Sequence, residues 1–252
     1  MALRTESSPV SYITRIGTSG NVNYNGAYTL MVAIRLPDLA SVVGSNIYPL
    51  MVVDESTGER DALYVEPSDD RLKLWINDGS TDDVSDVIDF DEDTIYWAVL
   101  RRNSGTSIDC FLFPAGIGSA PTPDGNSTLN VGTSRPASGY QVYAGIRQSD
   151  IDCLRGWNVA LTNAEIFAEI SSRTAVKASP VFDISVCTEA DTSDTAGSND
   201  FQVDGDPGFN VTTIADLIAG AAPPKEVKLV LQYRRKGTTQ WLDVLPLSQA
   251  QP

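Results

Sequence analysis

The sequence predicts an all-β protein: an antiparallel sandwich with one or two short helices and a C-terminal β-hairpin extension. Three observations predict this class. Apolar residues recur at every second position over short runs, as in YTLMVAIRL at 28–36 and RLKLWIND at 71–78. Gly, Asp, Asn and Ser separate the runs. The tripeptide NSG between the runs at 94–102 and 107–113 is typical of a hairpin turn.

The alternation gives each strand a direction for its side chains. Leu72, Leu74 and Ile76 share one face of their run, which leaves Trp75 on the polar face. In the run at 28–36, Leu30 is the first residue of a similar apolar face. We expect strands at 28–36, 46–53, 61–67, 71–78, 94–102, 107–113, 127–132, 141–158 and 181–186.

A short helix is expected directly after the strand that ends near Trp157. Thr162 followed by Glu165 has the capping-box pattern, in which each side chain accepts from an unpaired backbone N–H of the other residue. Ile166 and Ile170 then fall on one face together with Phe167. A helix of about two turns is marginal alone, so this face is expected to pack on the sandwich.

The C-terminal region is organised differently from the rest. Residues 1–220, with a second short helix at 212–220, form the predicted sandwich domain, 221–225 a linker, and 226–252 a hairpin extension. An isolated hairpin is rarely stable in water, so it is expected to pair with the main domain or with another subunit. Its candidate contact residues are Val227, Leu229, Leu231, Tyr233 and Trp241.

Composition excludes several classes of partner. The formal net charge of −15 argues against nucleic acid, whose phosphates need a basic face. The apolar runs are far shorter than the ~20 residues of a membrane helix, so no membrane insertion is expected. The N-terminus lacks the apolar core of a secretory signal, so the protein is either used without export or has lost a signal.

The three cysteines are odd in number and widely spaced, which fits neither a disulfide framework nor a zinc cluster. Cys110 lies in the apolar run IDCFLF and is expected to be a buried free thiol. Trp97 and Trp157 are expected to lie in the core.

Three segments carry a family resemblance. YWAVLRRNSGTSIDCFLF is followed later by SDIDCLRGWNVALTNAEI, and DTSDTAGSNDFQVDGDP follows these. Over roughly residues 10–210 this order resembles the laminin G-like, or concanavalin A-like, jelly roll. The residues in matching places are Asp152, Trp157, Leu161, Thr162, Glu165 and Ile166. The resemblance implies a jelly-roll sandwich. It leaves function open, because the superfamily includes glucanases, lectins, adhesion modules and structural domains of virions.

Catalysis is not expected. Glycosidases of this fold carry Glu-x-Asp-x-x-Glu along one strand, so that two carboxylates flank the scissile bond. No such spacing occurs on a predicted strand, and the chain contains no His to act as a general base.

An acidic segment offers a candidate metal site. In DFDEDT, Asp89, Asp91 and Asp93 alternate as at the start of a calcium loop. Thr94 and Leu100 stand where the loop's Gly and bidentate Glu belong, so a solvated acidic loop is favoured over Ca²⁺. No other cofactor is expected. Further acidic residues nearby are Asp82, Asp83 and Asp86.

A candidate carbohydrate site centres on Trp75. Lectins stack a sugar on an exposed aromatic ring beside Asp and Asn acceptors, and Trp75 is followed by Asn77 and Asp78. Tyr140 and Tyr143 flank a Gly-rich turn and are further candidates. Single surface aromatics also cover subunit contacts or sheet edges, which is the alternative interpretation.

These observations favour a non-catalytic structural protein of a virion, a head decoration or a fibre component, assembled in the host cytoplasm. The expected partners are further copies of the chain and other virion proteins such as the capsid, with the hairpin at 226–252 adding strands to a neighbouring sheet. The alternative is a lectin or adhesion domain that recognises a cell-surface glycan.

Overall fold

The structure is a computed structural model in which residues 1–220 and 221–252 form two units. It describes residues 3–4, 12–16, 22, 24, 26–35, 46–54, 56–66, 71–79, 82–89, 91, 94–104, 106–127, 141–146, 149–172, 175–184, 202–204, 232–233 and 242–243. The predicted helix at 212–220 lies outside these residues, as does the predicted strand at 127–132 beyond Ser127.

Two seven-stranded antiparallel sheets build the first unit, which confirms the predicted all-β sandwich of jelly-roll type. Sheet 1 contains, in spatial order, β1 (Leu3–Arg4), β12 (Asp150–Trp157), β3 (Tyr28–Arg35), β8 (Ile95–Ser104), β9 (Ser107–Pro114) and β10 (Gly125–Ser127), with β13 (Phe182–Ile184) also paired to β12. Sheet 2 contains β14 (Gln202–Asp204), β2 (Tyr12–Ile16), β11 (Gln141–Ile146), β4 (Ile47–Val53), β5 (Arg60–Glu66), β6 (Arg71–Asn77) and β7 (Asp82–Asp89).

The main core lies between the two sheets and follows the predicted alternation. Leu30, Val32 and Ile34 of β3 point into it from sheet 1, and Leu72, Leu74 and Ile76 of β6 belong to the same core cluster. Cys110 on β9 is a buried free thiol in this cluster, as predicted.

A second apolar cluster covers the outer face of sheet 1. The helix α1 (Asn163–Ile170) packs there with Ile166 and Ile170 buried. The predicted capping box is present, since Glu165 N donates to Thr162 Oγ1 at 3.2 Å and Thr162 N donates to a Glu165 carboxylate oxygen at 2.8 Å. Trp97 and Trp157 lie in this cluster, so both are core residues as predicted.

Two arginines of sheet 1 donate hydrogen bonds to the ends of α1. Near its N-terminus, Arg101 donates to the Leu161 carbonyl at 2.9 Å and to Asn163 Oδ1 at 2.7 Å. At its C-terminus, the fully buried Arg155 donates to the Glu169 carbonyl at 2.9 Å and the Ser172 carbonyl at 2.7 Å. Arg155 thereby links the C-terminal end of α1 to β12 of sheet 1.

The predicted single strand at 141–158 is wrong, because the chain changes sheets within it. β11 pairs with β2 and β4 in sheet 2, whereas β12 pairs with β3 in sheet 1. Gly145 has φ +62°, and Ile151 occupies the space that a Cβ there would need. β12 also contains a bulge, where Cys153 has φ +49°. The sequence did not predict β1, β2 or β7.

One buried ion pair joins the two sheets. Asp61 of β5 and Arg102 of β8 are fully buried, and Arg102 donates to Asp61 at 2.5 and 2.9 Å. Tyr28 of β3 donates to the same carboxylate at 2.5 Å. Burial and the charge of Asp61 raise the pKa of Tyr28 well above its usual value.

In the second unit, β15 (Gln232–Tyr233) pairs antiparallel with β16 (Leu242–Asp243). Nothing more of this unit is described, so Val227, Leu229, Leu231 and Trp241 lie outside the described residues. Tyr233 lies on β15, and its contact role stays a prediction. Within the described part of the chain, no helix has the length and apolar character needed to cross a membrane.

Candidate functional site

The outer face of sheet 2 carries a cluster of aromatic side chains. We define the aromatic patch as Tyr48, Tyr64, Trp75 and Tyr143, on four adjacent strands. Met51, Val53 and Ala62 lie on this face with Trp75 and Tyr143 and pack in one apolar cluster with them. An apolar cluster on the face of a sheet that points away from the core is a candidate binding surface.

Strand register places Trp75 on β6, beside β7, the last strand of sheet 2. One row of paired residues across the sheet runs Thr14, Tyr143, Met51, Ala62, Trp75 and Val84. Ala62 is therefore the direct neighbour of Trp75 on β5, and its small side chain leaves room for the indole ring beside it. Trp75 itself is partly exposed.

Two side chains of β5 contact the indole of Trp75. The Tyr64 ring meets it edge to face, with 5.8 Å between the ring centroids. The Arg60 guanidinium lies over the ring at 4.4 Å from its centroid, which is within the range of a cation–π contact. The indole is thus held in place while part of its surface stays accessible.

A hydrogen-bonded polar group adjoins the indole on its other side. The Asp82 carboxylate, exposed on β7, accepts at one oxygen from Trp75 Nε1 at 2.8 Å and from Asn77 Nδ2 at 2.5 Å. Asn77 Oδ1 in turn accepts from the backbone N–H of Gly79 at 2.6 Å. Hydrogen bonds from Trp75 and then Asn77 lower the pKa of Asp82, so the carboxylate is charged at neutral pH.

The structure brings some of the residues predicted for sugar binding close to one another. Trp75 and Asn77 share the Asp82 carboxylate, and Asp78, next to Asn77, lies close enough to Asp82 to oppose the fall in its pKa. Tyr143 is mostly buried in the apolar cluster, and its hydroxyl donates to Gln141. Tyr140 lies outside the described residues.

The sequence interpretation missed Arg60, Tyr64 and Asp82 as neighbours of Trp75. Arg60 begins β5, one residue before the predicted strand. Tyr64 is four residues beyond Arg60, so alternation alone places both on one face. β5 and β6 are consecutive and only four residues apart, as in a hairpin, and their pairing brings both side chains to Trp75.

The acidic segment differs from the predicted loop. Asp82–Asp89 forms β7, so Asp82, Asp83, Asp86 and Asp89 lie on a strand. Asp91 follows it as an exposed residue, and Asp93 lies outside the described residues. Among the described residues, no three His, Cys, Asp or Glu side chains are grouped so that they could hold a metal ion. Calcium at Asp89, Asp91 and Asp93 therefore stays a prediction.

No protein-family model and no curated protein matches this chain. Among solved structures, a Bacteroides ovatus protein assigned as carbohydrate-binding is 10% identical with a TM-score of 0.55, over 81% of this chain and 57% of its own. The binding domain of Paraclostridial Mosquitocidal Protein 1 is 12% identical with a TM-score of 0.49, over 69% of this chain and 44% of its own. Trypanosoma rangeli sialidase is 15% identical with a TM-score of 0.42, over 56% and 22%.

The first of these likenesses shows the fold, a β-sandwich, and nothing finer. This chain spans just over half the length of that protein. The jelly-roll sandwich implied by the family resemblance is thus confirmed, and membership of the laminin G-like family itself stays a prediction.

Proposed function

We propose that this chain is a non-catalytic carbohydrate-binding domain, and that the sugar binds on the outer face of sheet 2 beside Trp75. The observation that carries the proposal is the partly exposed indole, fixed by Arg60 and by a hydrogen bond to Asp82. A sugar has apolar C–H faces that pack on an aromatic ring and hydroxyls that need oriented polar partners. Trp75, Arg60 and Asp82 offer both kinds of contact within one site.

The fold supports this proposal without establishing it. The Bacteroides ovatus protein with the same sandwich is assigned to carbohydrate binding, but 10% identity carries over no residue of its site. Arg60, Trp75 and Asp82 of this chain therefore carry the proposal. They are held in place before any ligand arrives, which lowers the entropy lost on binding.

A glycan array with the full chain tests the proposal, followed by calorimetry on the glycans that bind. We expect Trp75→Ala to abolish detectable binding, because it removes the stacking surface. Phe167→Ala is the matched control, since Phe167 is a partly buried aromatic on α1, on the outer face of the other sheet. Binding by Trp75→Ala at the affinity of the original protein would contradict the site. The absence of any glycan ligand would contradict the function.

The structural role in a virion, predicted from the sequence, stays a separate prediction. Its contact residues at 226–252 lie almost wholly outside the described residues. A chain that ends at Gly220 tests it: loss of self-association or of incorporation into a particle is expected. An unchanged oligomeric state and normal incorporation would contradict it.

A further inference from the structure

Arg60 presents unused hydrogen-bond donors beside the indole of Trp75. Its Nε donates to the Gly58 carbonyl at 3.0 Å, which fixes the guanidinium over the ring. Among the described residues, none accepts a hydrogen bond from its two terminal nitrogens. These nitrogens are therefore oriented donors at the rim of the aromatic patch.

Asp82 presents an unused acceptor at the same indole. One of its oxygens accepts from both Trp75 and Asn77, at 2.8 and 2.5 Å. No described residue donates to the second oxygen, and the side chain is exposed on β7. A ligand that contacts the indole therefore meets a donor at Arg60 and an acceptor at Asp82.

The charges around this position select against an anion. Asp82 and Asp78 are both acidic, and Arg60, the cation over the indole, also acts on Asp82. The whole chain carries a formal charge of −15, which adds repulsion at long range. A carboxylate or sulfate on a sugar would lie near Asp82 and could not donate to it.

We propose that the site selects an uncharged saccharide with adjacent hydroxyls, one donating to Asp82 and its neighbour accepting from Arg60. This inference rests on the proposed function and specifies its ligand. A hydroxyl is both donor and acceptor, so a neighbouring pair satisfies both protein groups at once. A charged partner makes such hydrogen bonds stronger than those between neutral groups.

The experiment compares neutral oligosaccharides with sialylated and uronate-containing ones, at low and high salt. We expect binding to the neutral set only, with an affinity that salt leaves unchanged, because no ligand charge is screened. Asp82→Asn and Arg60→Met are each expected to weaken binding about tenfold or more, the usual loss when a hydrogen bond to a charged group is removed. Circular dichroism checks that both variants are folded.

The control variants are Glu165→Gln and Lys177→Met, which make the same charge changes in an ion pair beside α1. Neither should alter binding. Binding confined to acidic glycans, weakened by salt or strengthened by Asp82→Asn, would overturn the neutral-sugar inference while the proposed function stood. Neutral-glycan binding that neither Asp82→Asn nor Arg60→Met weakens would also overturn it. Binding to no glycan at all would overturn the proposed function.

Discussion

Trp75 is held by three neighbours of different chemistry. The Tyr64 ring meets it edge to face, the Arg60 guanidinium lies over the ring, and Asp82 accepts from its N–H. Each of these contacts restricts a different movement of the indole. A surface tryptophan held in this way is a rigid binding surface, because little of its freedom is left to be lost when a ligand arrives.

The bond between Trp75 and Asp82 predicts a fluorescence titration. The pKa of Asp82 is lowered from its usual 3.8, chiefly by the Trp75 hydrogen bond, then by Asn77 and the charge of Arg60, with burial and Asp78 opposing. The carboxylate therefore stabilises the fold above its unfolded pKa, and this stabilisation is lost as the pH falls through the lower folded pKa. We expect tryptophan emission to change with a midpoint below pH 3.8.

Two variants identify the source of that signal. Trp75→Phe removes the reporter and Asp82→Asn removes the titrating group, so the transition should be absent from both. A midpoint at or above pH 3.8, or a transition that persists in Trp75→Phe, would contradict the assignment.

At the scale of elements, β7 shows what the sequence could and could not predict. Its sequence DDVSDVID places Asp at four of eight positions, and Asp is depleted in strands. The register shifts between Leu72 and Lys73 of β6: Leu72 pairs with Ile88 of β7, and Lys73 pairs with Asp86. Val87 is the extra residue of β7 at this point, so it interrupts the alternation. β7 is also the last strand of sheet 2, where acidic residues discourage pairing with other chains.

Regular strands and the helix were predicted because their local signals agree with their environment. β6 alternates cleanly, and α1 carries both its cap and its apolar face. The change of sheet after Ile146 depends on contacts between strands distant in sequence, whereas the neighbours of Trp75 depend on the pairing and register of the consecutive strands β5, β6 and β7. Alternation assigns a side chain to a face of a sheet, but it does not give the order of the strands.

The capping box of α1 predicts a stability that depends on pH. Bonds from Lys177 and then Thr162 lower the pKa of Glu165 from 4.5 to about 2. Because the folded pKa is the lower one, Glu165 stabilises the fold fully above about pH 4.5, and this stabilisation is lost as the pH falls toward 2. Glu165→Ala should lower the free energy of unfolding by about 1 kcal/mol at neutral pH.

Urea unfolding of both proteins across the acid range measures this effect. The difference between Glu165→Ala and the original chain should shrink steadily below pH 4.5. Val176→Ala, at an exposed position after α1, is the control and should give a small difference that pH leaves unchanged. A Glu165 difference equally large at neutral pH and near pH 2 would show that the carboxylate charge has no part in it.

At the scale of the whole molecule, the two outer faces of the sandwich differ. The outer face of sheet 1 is covered by α1, whose ends are fixed by Arg101 and Arg155. The outer face of sheet 2 carries the aromatic patch and the polar groups around Trp75. The rigid sheet beneath that patch is what sets the spacing of Arg60, Trp75 and Asp82.

The position of sheet 2 against sheet 1 depends in part on the buried group of Asp61, Arg102 and Tyr28. Removal of Arg102 alone leaves the buried carboxylate of Asp61 without its counter-ion. We therefore expect Arg102→Met to lower the free energy of unfolding by about 3–5 kcal/mol, a large part of the ~5–15 kcal/mol typical of a domain. Lys73→Met, which breaks the half-exposed pair with Glu66 at 2.7 Å, should cost less than about 1 kcal/mol.

A triple variant separates stability from specificity. Tyr28→Phe, Asp61→Leu and Arg102→Met together replace the buried polar group by apolar side chains, which is often neutral for stability or favourable. If the charges mainly fix how the sheets align, the triple variant should recover most of the lost stability in urea unfolding, while its near-ultraviolet circular dichroism differs from that of Tyr28→Phe alone. A loss below about 1 kcal/mol for Arg102→Met alone would contradict the role of the ion pair, since an uncompensated buried charge lowers the free energy of unfolding by about 3–5 kcal/mol.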